Sequence, residues 1–516
     1  MLVHIYGAKC IGIDAVKVTV EVDIDRGIGL HLVGLADVAV KESLLRTTTA
    51  LASLGFHIPG KKIVINLAPA DLHKKGSGYD IPIALGIIAA SGQEEFPQIG
   101  DYIIMGELGL DGSIRDIPGA LPMAELARES GFKGCILPKG SALEAAEFRD
   151  TDVFGVSNLT DVLRIIGGRE DCSDLLIWNS VAGRKALDGK GTESDSAVDF
   201  SEIIGQDSAK RGAEIAAAGA HNLIMIGAPG AGKSSLAKAM TGILPPMSQQ
   251  EAIVTSKIYS ICGKGSTRYG LMRTRPFRAP HYSASLPAII GGGGDNIFPG
   301  EVSLAQNGIL FLDEVGQMPK SVIEALRGPL EDRKVSISRL KSKIEFPASF
   351  MLVAASNPCP CGYWGEGDRC TCSVSQRHNY ISRLSGPLMD RIDIQLWLHT
   401  VDPSRIRNRK AGESSAVIAQ RVMRARELQA ERFRNDDIST NSEMNNRLIE
   451  KYCPLDGECI ELMEKLMAKS RFSMRAYFRI IKVARTIADL EGSVSIKPGH
   501  LLEAAGYRFL DKAPAF

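Results

Sequence analysis

The sequence predicts an α/β protein of more than one domain, and three observations predict it. An apolar run, Leu223-Ile-Met-Ile-Gly227, passes through a glycine-rich loop directly into a helix start. Two later apolar runs, Ile309–Leu312 and Leu352–Ser356, end abruptly in polar residues, as strands buried on both faces do. A chain of 516 residues also exceeds what one hydrophobic core sustains, so two or three domains are expected.

Composition narrows the class. At 44% hydrophobic and 23% charged residues the chain reads as soluble and globular. No apolar run approaches a membrane span, and Met1-Leu-Val-His-Ile5 has no signal-peptide pattern. Ten cysteines are too dilute for a disulfide scaffold, and only four cluster, which suits a reducing cytoplasm with one metal site. The net charge of +1 argues against a protein that coats polyanions. It hides an asymmetry, because the first 170 or so residues lean acidic while Lys and Arg crowd 257–391.

Residues 1–168 read as an α+β domain. Val16–Asp23 alternates with period two, and Lys62–Leu67 is a second short strand. Ile81–Ala90 is helix-like, Tyr102–Ser113 suggests two strands about a turn, a helix begins near Ala120, and Gly134–Pro138 is a further strand. Residues 169–199 are polar, rich in Gly, Ser and Asp, and aperiodic, and read as a linker. An αβα core is expected over 200–400 and a helical segment over 401–516. The clearest helix there is Ser473–Leu490, with Met474, Phe478, Ile481 and Ala484/Ile487 at helical spacing.

The run Gly227-Ala228-Pro229-Gly230-Ala231-Gly232-Lys233-Ser234-Ser235 has P-loop spacing. Glycines let backbone N–H groups curl around phosphate, and the following helix offers its positive end to the same anion. Lys233 is expected on the β/γ-phosphates and Ser234 on Mg²⁺, which makes ATP and Mg²⁺ the expected ligands. Downstream, Asp313 would hold Mg²⁺ and Glu314 would polarise the attacking water. Asn357 ends the next strand and would orient that water; by itself an Asn before Pro is a turn former. Arg391 and Arg475 are candidates to stabilise developing phosphate charge, Arg391 across a subunit interface and Arg475 within the chain, with surface ion pairs as the plain alternative.

In this order these residues resemble an AAA+ ATPase. Arg275-Pro-Phe-Arg-Ala-Pro-His-Tyr-Ser-Ala-Ser285, Gly300-Glu-Val-Ser-Leu-Ala305 and Asn357-Pro-Cys-Pro-Cys-Gly362 narrow the likeness to the magnesium-chelatase-like YifB/ComM family. One departure is Tyr282, where a second His is expected. The resemblance implies an AAA+ core with a helix-2 insert, a C-terminal helical lid, a hexameric ring, and a motor that branch-migrates or unwinds DNA. A chelatase-type motor that remodels a protein partner is the alternative. Lys75–Gly86 and Gly106–Gly119 are similar to the Lon proteolytic domain and to RadA. The Ser/Lys dyad of Lon falls on about Gly78 and Pro122, which cannot do that chemistry, so a non-proteolytic domain is implied.

Cys359, Cys361, Cys370 and Cys372 form C-x-C, eight residues, C-x-C. Gly362, Gly365 and Gly367 allow the loop to fold back, so four thiolates around a structural Zn²⁺ are expected. Iron–sulfur ligation and a plain loop of reduced cysteines stay open. Two basic segments could track DNA phosphates with aromatic rings interleaved. One is Lys257, Lys264, Arg268, Arg273, Arg275 and Arg278 with Tyr259, Tyr269, Phe277 and Tyr282, and the other is Arg333–Lys343.

Overall fold

The computed structural model describes residues 2–35, 37–74, 76–187, 198–264, 270–293, 297–339, 342–384, 386–401, 412–470 and 472–511. The chain divides into two compact units. The first takes residues 1–193 together with 248–273 and 340–344, and the second takes the remainder. Among the described residues no helix is long and apolar enough to cross a membrane.

The first unit is built on a mixed seven-stranded sheet. Val3–Ile11 and Asp14–Asp25 form a hairpin whose two-residue turn begins at Gly12, with φ +62°. Val18, Val20 and Val22 alternate onto the buried face, as the period-two pattern predicts. The helix Asp80–Ser91 lies against that face, and Gly86 permits the close approach: a Cβ there would meet Val22 Cγ2 at 2.4 Å. Lys62–Ala68 pairs antiparallel with the hairpin, and Tyr102–Ile104, Gly134–Pro138 and Asp152–Val156 extend the other side in parallel. In the Tyr102–Ser113 segment, Glu107–Leu108 pairs across a turn with Ile114–Arg115, just beyond it, as a separate two-stranded ribbon.

The stretch read as linker is folded in its first half. Ser173–Leu175, Ile177–Asn179 and Val181–Leu187 are short helical turns, and Ile177 is buried. The helix Gln249–Ile261 also belongs to this unit. It is started by a capping box between Ser248 and Glu251, and Ser260 receives the backbone N–H groups of Gly119 and Leu121.

The second unit holds a five-stranded sheet that is parallel throughout, in the order Phe277–Arg278, Ile309–Leu312, Met351–Ser356, Leu223–Gly227, Ile394–Leu398. The strand leading into the glycine-rich loop is therefore flanked by the strand ending at Ser356 and by the 394–398 strand. Where chain order reverses in this way, the carboxyl ends of the strands open a crevice for a ligand. Between the 277–278 and 309–312 strands, the helices Leu286–Ile290 and Glu301–Leu304 are separated by a ribbon of Gly291–Gly292 and Phe298–Pro299.

The C-terminal region is helical. Ser415–Arg432, Asn446–Tyr452, Gly457–Ser470, Met474–Leu490 and Pro498–Gly506 share one core with the helix Asp207–Gly219. Of the positions expected on the apolar face of the last long helix, Ile481, Ala484 and Ile487 are buried and Met474 is exposed, because at its start the helix buries Ala476 and Ile480 instead.

Candidate nucleotide site and cysteine cluster

The glycine-rich loop leaves the sheet at Gly227, where a Cβ would collide with the Leu398 carbonyl at 2.5 Å. Gly230 and Gly232 sit at φ +80° and +90°, a region open to glycine at little cost. The loop runs through Ala228, Pro229 and Ala231 into the helix Lys233–Met240, which Gly232 caps and which carries Ser234 and Ser235 in its first turn. Lys233 is buried, and its ammonium donates to the carbonyls of Gly227 (2.6 Å) and Ala228 (3.0 Å) and to Asn357 Oδ1 (3.1 Å). None of these bonded partners carries a full charge. Burial lowers its pKa, partly opposed by Asp313 and Glu314. An anion placed beside it would therefore meet a desolvated cation that lacks a bonded counterion.

Ser234 Oγ donates to Asp313 Oδ2 at 3.1 Å, so two hard oxygens suited to Mg²⁺ stand together. Asp313 also accepts the backbone N–H of Glu314 at 2.9 Å. Glu314 itself adopts φ +49°, left-handed and uncommon for a side chain of its size. Hydrogen bonds thus join Lys233 to Asn357 and Ser234 to Asp313, and the two pairs meet through the adjacent residues 233 and 234, with Glu314 next to Asp313.

The two arginines are held elsewhere in the same unit. Arg391 is buried and ion-paired with Glu331 of the helix Arg327–Asp332. Arg475, exposed at the start of the 474–490 helix, pairs with Asp390. Two residues past Arg391, Asp393 is fully enclosed; burial would raise its pKa, but Arg479 and His221 prevail and hold it well below the carboxylate range.

Gln206 escaped the sequence reading. It stands at φ +60° just before the helix Asp207–Gly219 and donates to the carbonyls of Ala231 (3.2 Å) and His399 (2.5 Å), tying the loop to the end of the last strand. Gly205-Gln206 directly before an acidic helix start was the available signal.

The four cysteines converge. Their sulfurs all lie within 4.8 Å of one another, with Cys359–Cys361 at 3.3 Å, Cys359–Cys370 at 3.8 Å and Cys361–Cys370 at 3.7 Å. Tetrahedral Zn–S bonds place sulfurs about 3.8 Å apart, so one zinc ion fits the set. Backbone N–H donation, chiefly from Tyr363, holds Cys361 down to about 6, whereas burial pushes Cys359 up to about 12.

The first basic segment is not a free cationic face. Lys257 is buried between Asp14 (2.5 Å) and Glu125 (2.6 Å), and Tyr259 is buried. Arg273 pairs with Glu147, and Arg278 with Glu301 in a two-bond clasp of 2.6 and 2.7 Å. Arg275 donates to the carbonyls of Pro245, Pro246 and Asn307. Arg268 and Tyr269 lie outside the described residues, as do Leu340 and Lys341 of the second segment. That segment is a hairpin, Lys334–Arg339 with Ser342–Pro347, in which Val335 and Ile337 face inward and Lys334 pairs with Glu345 at 3.0 Å. In the first unit, Ser77, beside the Gly78 position of the Lon-type serine, donates through Oγ to Glu107, a carboxylate rather than a lysine.

Three family models match in sequence: subunit ChlI of Mg-chelatase over 20–141, magnesium chelatase subunit ChlI over 199–406, and the ChlI C-terminal segment over 412–508. The competence protein ComM of Haemophilus influenzae is 41% identical over 98% of this chain and 97% of its own length. The chain belongs to the YifB/ComM family of magnesium-chelatase-like proteins. A second member, the YifB protein of Escherichia coli, is 40% identical over 99% of this chain and 97% of its own. Outside the family, shorter matches reach the DNA replication licensing factor mcm6 of Dictyostelium discoideum (24% over 306 residues, 57% of this chain and 31% of that one) and the H. influenzae DNA repair protein RadA (34% over 87 residues, 17% of this chain and 18% of that one).

Proposed function

We propose that this family member is a cytoplasmic AAA+ ATPase that assembles into a homohexameric ring and uses ATP hydrolysis to move DNA, by branch migration or unwinding of recombination intermediates. One observation carries the ATPase reading: Lys233 spans the loop carbonyls and Asn357, beside the Ser234–Asp313 pair. In that reading Lys233 exchanges its uncharged partners for β/γ-phosphate oxygens, and Ser234 and Asp313 hold Mg²⁺, which supplies charge neutralisation on the phosphates. Glu314 takes a proton from the attacking water and Asn357 orients it. Arg475 adds positive charge from the same chain. Arg391 adds it from a neighbouring one, once it has given up Glu331. The four cysteines hold one zinc ion.

The names of the relatives support DNA as the substrate: competence for the full-length one, replication licensing and DNA repair for the partial ones. The surface near 281–288 is compatible with it. His281 and Tyr282 are exposed there with ring centroids 4.2 Å apart, a pair on which a base could stack. The second reading, a motor that remodels a protein partner, is favoured by the three magnesium-chelatase models.

ATP turnover measured with and without single-stranded and forked DNA separates the two. Stimulation of several-fold is expected, and an unchanged rate turns the choice to the protein-remodelling motor. In the same assay Glu314→Gln should bind ATP as the parent does and lose turnover by roughly 10²–10⁴-fold. Hydrolysis retained in that variant would remove Glu314 from its role.

A further inference from the structure

The segment carrying the cysteines leaves one neighbour of the 223–227 strand and lands on the other. It departs from the 351–356 strand immediately after Asn357, and Gly362 at φ +86° lies directly on the loop proline: a Cβ there would come within 2.9 Å of Pro229 Cδ. Gly365 then rests on the Trp397 indole, where a Cβ would meet Cζ2 at 2.8 Å. Trp364 meets the same indole edge-on at 5.3 Å. Glu366 accepts the backbone N–H of Thr400 at 3.0 Å and also the Thr400 hydroxyl. After Cys372 the helix Val374–Ile381 brings Tyr380, buried, back to Ser356 and to within 3.7 Å of the space over Gly316, two residues past Glu314.

Within the crossing, Arg369 stacks over the Tyr363 ring at 4.2 Å and Arg377 over the Trp364 ring at 5.5 Å, but its backbone is irregular. Gly362, Gly365 and Gly367 all take left-handed backbone angles. Between the strand end and the 374–381 helix there is one 3-10 turn, Gly367–Arg369. Ordering so many glycines costs conformational entropy, and a metal that draws four sulfurs together offsets that cost at one point. The four sulfurs leave space for a single ion at their centre; a multi-iron cluster between them would have to spread them apart.

We propose that the zinc-bound cysteine segment is a strap across the nucleotide loop, so that the metal sets the protein's affinity for ATP from outside the phosphate site. The strap lies on Pro229, is anchored on Trp397 and Thr400, begins directly after Asn357, and through Tyr380 touches Ser356 and the turn that follows Glu314. This rests on the ATP-site reading above, and the test keeps the two apart.

The full-length protein is purified, its metal content measured, and its affinity for a fluorescent ATP analogue titrated before and after zinc is stripped by a chelator. About one zinc per chain and a tenfold or greater loss of affinity on stripping are expected, since small misplacements of a binding element carry penalties of that order. Affinity should return when zinc alone is added back. Cys370→Ser combined with Cys372→Ser should lose the metal and behave like stripped protein. Because that variant could also unfold, Trp364→Ala is the second arm: it keeps four thiolates, so zinc should stay bound while nucleotide affinity falls. Unchanged affinity in zinc-stripped protein would overturn the strap, as would iron or no metal in the purified protein. Wild-type protein that carries zinc but binds no nucleotide would sink the ATPase reading, and the strap with it.

Discussion

Lys257 in the first unit and Lys233 in the second are both lysines with little contact with water, yet their surroundings give them opposite characters. Lys257 is clamped by Asp14 and Glu125. Burial alone would lower its pKa, but the two carboxylates overcome that and hold it above the ordinary value. Lys233 is bonded only to carbonyl and amide oxygens, and burial prevails. A buried lysine whose charge is already answered holds a fold together. Lys233, bonded to neutral groups at the start of the helix after the glycine-rich loop, stands where an anion brought from outside could answer its charge.

Substitution should break the pair in different currencies. Lys233→Ala should reduce kcat/KM for ATP by at least about a hundredfold, the scale on which a preorganised charge stabiliser acts, with little change in melting temperature. Lys257→Met should leave nucleotide affinity intact and cost about 2 kcal/mol of stability, because Glu125 loses its partner in a mostly buried setting. Denaturant unfolding alongside nucleotide titration checks both. Matching effects from the two variants would erase the contrast.

A third lysine sharpens it with a smaller effect. Lys482, on the 474–490 helix, donates to the Ser442 carbonyl at 2.9 Å, and burial pushes it down to about 8 despite Asp393, with Arg479 and Arg333 reinforcing the shift. Unfolded, a lysine titrates near 10.4. Between those values the unfolded chain binds more protons than the folded one, so this residue's contribution to stability becomes more favourable as pH rises from about 8 to about 10, and is constant below 8. The stability difference between wild type and Lys482→Met should therefore shift toward wild type across that window, by no more than about 1.4 kcal/mol per pH unit. A flat difference would contradict the shift.

These lysines also mark what could be read from sequence. Lys233, Asp313, Glu314 and Asn357 could be singled out because each ends an apolar run or sits in a glycine loop, so local pattern alone points to them, and the roles given them are the ones proposed above. The cysteines were legible from spacing. Lys257 was misread as a phosphate contact because the carboxylates that neutralise it lie 243 and 132 residues away in the chain, beyond the reach of any charge pattern. Gln206 and the Gly362–Pro229 contact were hidden for the same reason, since both depend on how separate strands end side by side. Residues 173–187 looked like linker because their composition is polar, yet Ile177 and Cys172 supply enough buried surface to fix short helical turns.

The backbone at Glu314 carries a different lesson. A left-handed conformation there is one that glycine adopts freely and a glutamate adopts at a cost of about 1 kcal/mol or more. Left to stability alone, position 314 would drift toward glycine and the turn would relax. A carboxylate at that angle is held against the local backbone preference, so if Glu314 acts on water as proposed, a sequence optimised for heat resistance and a sequence optimised for turnover part company here.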